Sequence, residues 1–206
     1  MYADNTSVLI AGDSCSHTET LSEDVLSRLL QWFSINKLYL NTTKTQLISF
    51  KNLRGNHIPP KIYINNELLK YENDVKILGI HIDENLTWKN HCANLSSKLN
   101  SVVYLFRHLK PLLSIPLLLN LYYAEVHSRL IYGICFWGNS SLAKKLFICQ
   151  KKILRVIAGI SAYDSCRSLF GNFAILTLIS LYIFMSCVFM YMFTRMNSFL
   201  IATSTP

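Results

Sequence analysis

Residues 75–113 read VKILGIHIDENLTWKNHCANLSSKLNSVVYLFRHLKPLL, and the texture of the chain changes partway along them. Val75 to Ile82 is a short apolar run with Gly79 inside it, the pattern of a β segment carrying a bulge glycine. Beyond Asp83, residues Leu95, Leu99, Val102, Phe106, Leu109 and Leu113 recur every three or four positions, which sets them on one face of a helix. A β-containing part therefore ends near residue 84 and a helical part begins. The expected class is α+β, with domains 1–84 and 85–206.

Upstream, Ser7 to Ile10 run apolar into Gly12, and the opening twelve residues read as strand, turn, strand. Thr20 and Glu23 have capping-box spacing, and Leu21, Val25, Leu29 and Trp32/Phe33 predict a helix over 21–38. Lys44 to Phe50 alternates like a strand. Pro59 and Pro60 break the chain before Lys61 to Ile64, and Asn65-Asn66 suits a hairpin turn. Downstream, Pro111 and Pro116 separate the first long helix from a second at 117–132. Gly133, Gly138 and Asn139 then precede a third at 141–158.

Charge divides along the same line. Of the 206 residues, the first 84 hold eight Lys/Arg against ten Asp/Glu, whereas residues 85–206 hold twelve Lys/Arg against Glu125 and Asp164 alone. The formal net charge of +8 is thus −2 followed by +10. Such asymmetry favours a polyanionic partner, nucleic acid first and an anionic membrane second, because cations facing a polyanion release its counterions. Six widely spaced cysteines without a CxxC pair imply reduced thiols, and His91-Cys92 has no second pair at zinc spacing.

Mean hydropathy is +0.26, and much of it lies in one place. Ser168 to Thr194 carries no Asp, Glu, Lys or Arg. Two readings stand side by side: a transmembrane helix, or a helix or helix pair bent near Thr177 to Ser180 and buried against protein. Arg167 and Arg195 flank the run, so the positive-inside rule assigns no orientation.

Tyr2-Ala3-Asp4 at a turn between short strands would hold a carboxylate at a hairpin tip, the geometry with which polymerases place Mg²⁺. Together with this, MYADNTSVL (1–9), LQWFSINKLYLNTTKTQLISF (30–50), the 75–113 block, YYAEVHSRLIYGICFWGNSS (122–141), QKKILRVIAG (150–159) and SCRSLFGNFAILTLISLYIF (165–184) form an ordered set. That set resembles the reverse transcriptase of non-LTR retrotransposons, particularly the jockey-like elements, and the resemblance covers nearly the whole chain.

The resemblance implies a partial palm, made of hairpin, helix and strands, followed by a helical thumb and connection. It makes Asp4 the catalytic, metal-binding aspartate and puts Asn5 where the family has a second one. One carboxylate fewer lowers Mg²⁺ affinity, so Mg²⁺, the family cofactor, is not expected to be functionally bound. Lys44 matches a lysine that can assist pyrophosphate departure; the alternative is a solvated lysine at a strand start. Leu78, Gly79 and Ile80 match the hairpin that grips the primer end.

The fingers and the strand with the other metal-binding aspartate precede this block in the family, and the expectation is a chain without polymerase activity of its own. It retains weak, nonspecific binding of RNA or an RNA/DNA hybrid through Gly79, Lys98, Arg107, Lys110, Arg129, Lys144, Lys145, Lys151, Lys152 and Arg155. Tyr122, Tyr123, Tyr132 and Trp137 are read as core rather than as base-stacking platforms. No small-molecule cofactor is expected.

Overall fold

The computed structural model describes residues 6–50, 59–64 and 67–203. Two compact units emerge, one taking in the chain to Ile77 with Ile82–Leu86, the other Leu78–His81 with Thr87 onward. The fold is mixed, small strand pairs and many helices.

In the first unit the main element is α1, Cys15–Ile35. It starts six residues before the Thr20–Glu23 signal because Ser14 caps it, its hydroxyl accepting from the His17 N–H at 3.2 Å. Thr20 lies inside the helix and donates back to the His17 carbonyl at 3.0 Å. The strand expected from Ser7 is absent among the described residues, where 6–12 is irregular. The strand expected over 44–50 is reduced to one bridge, Leu47 with Tyr71. Its first residue instead ends a short 3₁₀ turn, Thr42–Lys44, capped by the Asn41 side chain. A strand needs a partner along its length to satisfy its backbone groups, and a single bridge does not supply one.

Strands β1, Tyr63–Ile64, and β2, Glu67–Leu68, pair antiparallel with Tyr63 opposite Leu68 and Ile64 opposite Glu67. The Asn65-Asn66 turn lies outside the described residues. The 75–82 segment is two strands rather than one: β3, Asp74–Ile77, and β4, Ile80–Asp83, form a second sheet. Gly79 is not a bulge. Leu78 at φ 48° and Gly79 at φ 86° make a two-residue turn with both centres left-handed, the type that matches strand twist.

The second unit is helical. Its longest packed element is α2, Lys89–Leu109, followed by α3, Ile115–Tyr122, and α4, Ser128–Ile131. Between α3 and α4, Tyr123–His127 is a π-helical turn. Buried Leu118, Tyr122, Val126 and Leu130 are spaced by four residues each time. A straight α-helix would rotate that stripe out of the core at every step, and the wider π turn absorbs the excess. The sequence pattern predicts one continuous helix here, since the widening shows only against the packed neighbours. A short α5, Ile134–Trp137, leads to α6, Ala143–Ala158, then α7, Arg167–Asn172, and α8, Leu178–Thr203.

The core lies chiefly between α2 and α6. Leu95, Leu99, Val102 and Phe106 from the predicted stripe are buried there, against Leu146, Ile153 and Ile157. Truncating one such Leu, Ile or Phe side chain to Ala costs about 2–5 kcal/mol. Tyr122 and Trp137 are fully buried, while Tyr123 and Tyr132 are exposed. Cys92, Cys149 and Cys166 are buried thiols, and Cys15 and Cys187 are exposed ones. Burial raises the Cys92 thiol pKa above its ordinary value.

Helix α8 divides in two. Leu178 and Leu181 are buried, with Tyr182 and Met185 half-buried beside them, whereas Val188 to Phe193 are exposed on every side. The expected bend comes slightly early, at the break between α7 and α8.

Candidate nucleic-acid interface

The type of turn between β3 and β4 sets the first wall of a cleft. Gly79 has no side chain to fill it, and a Cβ there would meet only the Tyr132 ring, at 3.8 Å. His81, two residues on, lines the same cleft. The second wall is α2, where His91, Asn94, Leu95 and Lys98 follow the i, i+3, i+4, i+7 rule for one helical face. The third is Ser128, Arg129 and Tyr132, at and just beyond the π turn. All nine residues belong to the helical unit, and they enclose about 520 Å³.

Polar contacts hold these walls together. Tyr132 Oη donates to the Leu78 carbonyl, fixing the tip of the turn. Asn94 Nδ2 lies 3.2 Å from His81 Nε2. The His81 backbone N–H makes a long approach, 3.5 Å, to His91 Nδ1. His91 is buried, its ring 5.7 Å from that of Trp137. Arg129 pairs with Glu125 one turn earlier, and Ser128 donates to the Ala124 carbonyl. Gly133 follows Tyr132 at φ 62°, a left-handed conformation that favours glycine, and a Cβ there would displace the Ile80 Cδ1 methyl.

None of the nine lining residues is acidic, and two are permanent cations. The nearby His127 adds no charge near neutrality, since burial lowers its pKa. Such a site suits an anion with several acceptor oxygens, which the guanidinium, ammonium, carboxamide and hydroxyl groups can bond.

Three of the residues expected to touch nucleic acid, Gly79, Lys98 and Arg129, meet in this cleft. The others lie elsewhere. On α6, Lys144, Lys145 and Lys152 are exposed on the face opposite the buried one. Lys151 sits over the Phe147 ring at 4.4 Å, and Arg155 donates to the Asp164 carbonyl at 3.0 Å. Arg107 is exposed in the last turn of α2. Lys110 Nζ donates to the Ile157 carbonyl at 2.5 Å, a cation closing the C-terminal end of α6. Lys44 is exposed, its backbone N–H bonded to Asn41 Oδ1 at 3.2 Å. Asp4 and Asn5 lie outside the described residues. Among the described residues no three His, Cys, Asp or Glu side chains gather as a metal site.

His81, His91, Asn94 and Ser128 were not foreseen from sequence. The three α2 polar positions, His91, Asn94 and Lys98, carry a usable signal, since all flank the apolar stripe on one side.

Comparison with known proteins finds relatives among the polymerases of mobile elements. The chain is 27% identical over 173 residues to the RNA-directed DNA polymerase from mobile element jockey of Drosophila melanogaster, covering 82% of this chain and 19% of that protein. The jockey polymerase of Drosophila funebris is 24% identical over the same shares. A retrovirus-related Pol polyprotein from a type-1 retrotransposable element R1 of Nasonia vitripennis is 29% identical over 127 residues, 54% of this chain and 32% of that one. The chain spans about a fifth of the length of the jockey polymerases it matches. No family model matches it, and no solved structure does.

Proposed function

We propose that the helical unit binds nucleic-acid backbone, RNA or an RNA/DNA hybrid, as the thumb-like part of a mobile-element reverse transcriptase, following a palm-like first part. The observation that supports this most is the cleft itself: Gly79, Lys98 and Arg129, distant in sequence, line one space without a carboxylate. The outer face of α6 is a second positive surface, on a helix of sixteen residues with no Asp or Glu. Contacts of this kind neutralise phosphates and read no sequence. Affinity should therefore fall steeply with salt, with a log–log slope of roughly −0.7 to −0.9 per phosphate contacted. A salt titration of labelled single-stranded RNA and of an RNA/DNA hybrid tests this; binding that ignores salt, or none at low salt, refutes it.

Polymerisation is a separate matter. Asn5 beside Asp4 leaves one carboxylate where a metal pair needs more, and we expect no Mg²⁺-dependent nucleotide incorporation by the chain alone. Template-dependent incorporation by the purified protein would contradict this.

A second reading rests on α8. Leu178–Arg195 has a mean hydropathy of 1.6 and is little buried, long and apolar enough to cross a bilayer. Resistance of the expressed protein to carbonate extraction would favour a span; release into the soluble pool would remove it.

A further inference from the structure

We infer that the cleft takes an unpaired strand, with Lys98 and Arg129 holding its phosphates while one nucleobase stacks on the ring of Tyr132. This deepens the nucleic-acid reading above and rests on it.

The sequence reading puts Tyr132 in the core, and the structure puts it at the surface, 52% exposed. Helix α4 ends at Ile131, and Tyr132 turns extended, at φ −65° and ψ 113°, before the left-handed Gly133. The residue is then held at both ends. Its carbonyl accepts from the buried Trp137 Nε1 at 3.1 Å, and its hydroxyl donates to the Leu78 carbonyl. A ring pinned at backbone and tip has little freedom left to lose when a ligand packs on it, which lowers the entropic cost of stacking. Gly79 keeps the approach open. The point a Cβ would occupy there is 3.8 Å from the ring's Cε1, and glycine leaves it empty.

The neighbours of the ring suit a nucleotide rather than a purely apolar ligand. Lys98 and Arg129 line the same space of about 520 Å³, with Asn94 and Ser128 beside them. Lys98 is exposed on α2, and Arg129, three residues before Tyr132, is half-buried and paired with Glu125. Cations for the phosphates and an aromatic face for a base are the combination that binds single strands without reading their sequence. Paired bases are locked in the helix stack, so an unpaired base is the one that can turn onto the ring. Every base has a π-face, and one such stack strengthens binding by about five- to a hundredfold.

The test uses the full chain and two labelled strands with the same number of phosphates, a single-stranded RNA and an abasic strand. Anisotropy at constant ionic strength should show the RNA bound about five- to a hundredfold more tightly. Tyr132→Leu should lose this preference, and Tyr132→Phe, which keeps the ring without its tie, should retain it. Tyr163→Leu removes an aromatic ring that is 99% exposed and outside the cleft, and should retain it too. With a fluorescent adenine analogue in the RNA, binding should quench the emission in the parent chain and in Tyr132→Phe but not in Tyr132→Leu. Circular dichroism confirms that each variant is folded. Equal affinity of the parent chain for the two strands, or a preference that survives in Tyr132→Leu, overturns the inference and leaves the nucleic-acid reading standing. Failure of the parent chain to bind either strand at low salt overturns both.

Discussion

The Tyr132 hydroxyl donates to the carbonyl of Leu78, tying the residue after α4 to the strained first position of the β3–β4 turn. Leu78 is mostly exposed at φ 48°, so it pays for a left-handed conformation without burying its side chain. Tyr132→Phe removes the bond alone and should cost about 1 kcal/mol in denaturant unfolding. Leu78→Asn creates the Asn-Gly pair this turn prefers and should gain about 0.5–1 kcal/mol. A stabilised Tyr132→Phe variant would show that the tie contributes nothing.

Gln150 is a buried side chain whose groups are all used. Its Nε2 donates to Tyr122 Oη at 2.8 Å and to the Leu176 carbonyl at 2.9 Å, while its Oε1 accepts the Leu178 N–H at 3.0 Å and so caps α8. Gln150→Leu keeps the volume and orphans three polar groups, so unfolding free energy should drop by about 3 kcal/mol or more. A drop below about 1 kcal/mol would mean the groups find other partners.

Burial lifts the Tyr122 pKa to about 12 from 10.0, the Gln150 hydrogen bond opposing it. A folded pKa above the unfolded one means the contribution is complete below pH 10 and is lost as pH rises towards about 12. Stability should fall by about 2–3 kcal/mol across that window, followed by ellipticity and tyrosinate absorbance together. In Tyr122→Phe this component of the alkaline loss should disappear.

Lys98 and Lys110 lie on one stretch of chain and should behave oppositely. Lys98→Ala should lower the salt slope of RNA binding by about one and weaken binding at every sequence tested. Lys110→Ala removes the ammonium at the Ile157 carbonyl and should lower stability by about 1 kcal/mol. If Lys110→Ala instead takes the larger share of the salt slope, the cleft is not the main phosphate contact.

The outer half of α8 should tolerate charge and its root should not. Phe189→Lys with Met192→Lys places both cations on exposed positions and should leave unfolding free energy within about 0.5 kcal/mol, while reducing self-association. Leu181→Lys buries an ammonium and should prevent folding. Thermal melts and light scattering separate the two outcomes.

Local rules were enough for part of this molecule. The stripe from Leu95 to Phe106 placed the buried face of α2, because helical periodicity depends only on side-chain order along the chain. Local rules also misled: the Thr20–Glu23 pair has the right spacing for a cap, but Ser14 reaches its helix first. The strand over 44–50 alternates correctly, yet alternation does not provide a neighbour. Tertiary structure alone decided the rest. It set the form of the turn at Leu78-Gly79, where the resemblance had implied a hairpin, with both central residues left-handed. It widened the helix at Tyr123–His127, because the core accepts a four-residue stripe only if the helix unwinds beneath it. And it brought Gly79 and His81 to Lys98 and Arg129, since a cleft depends on distances in space that spacing in the chain does not contain.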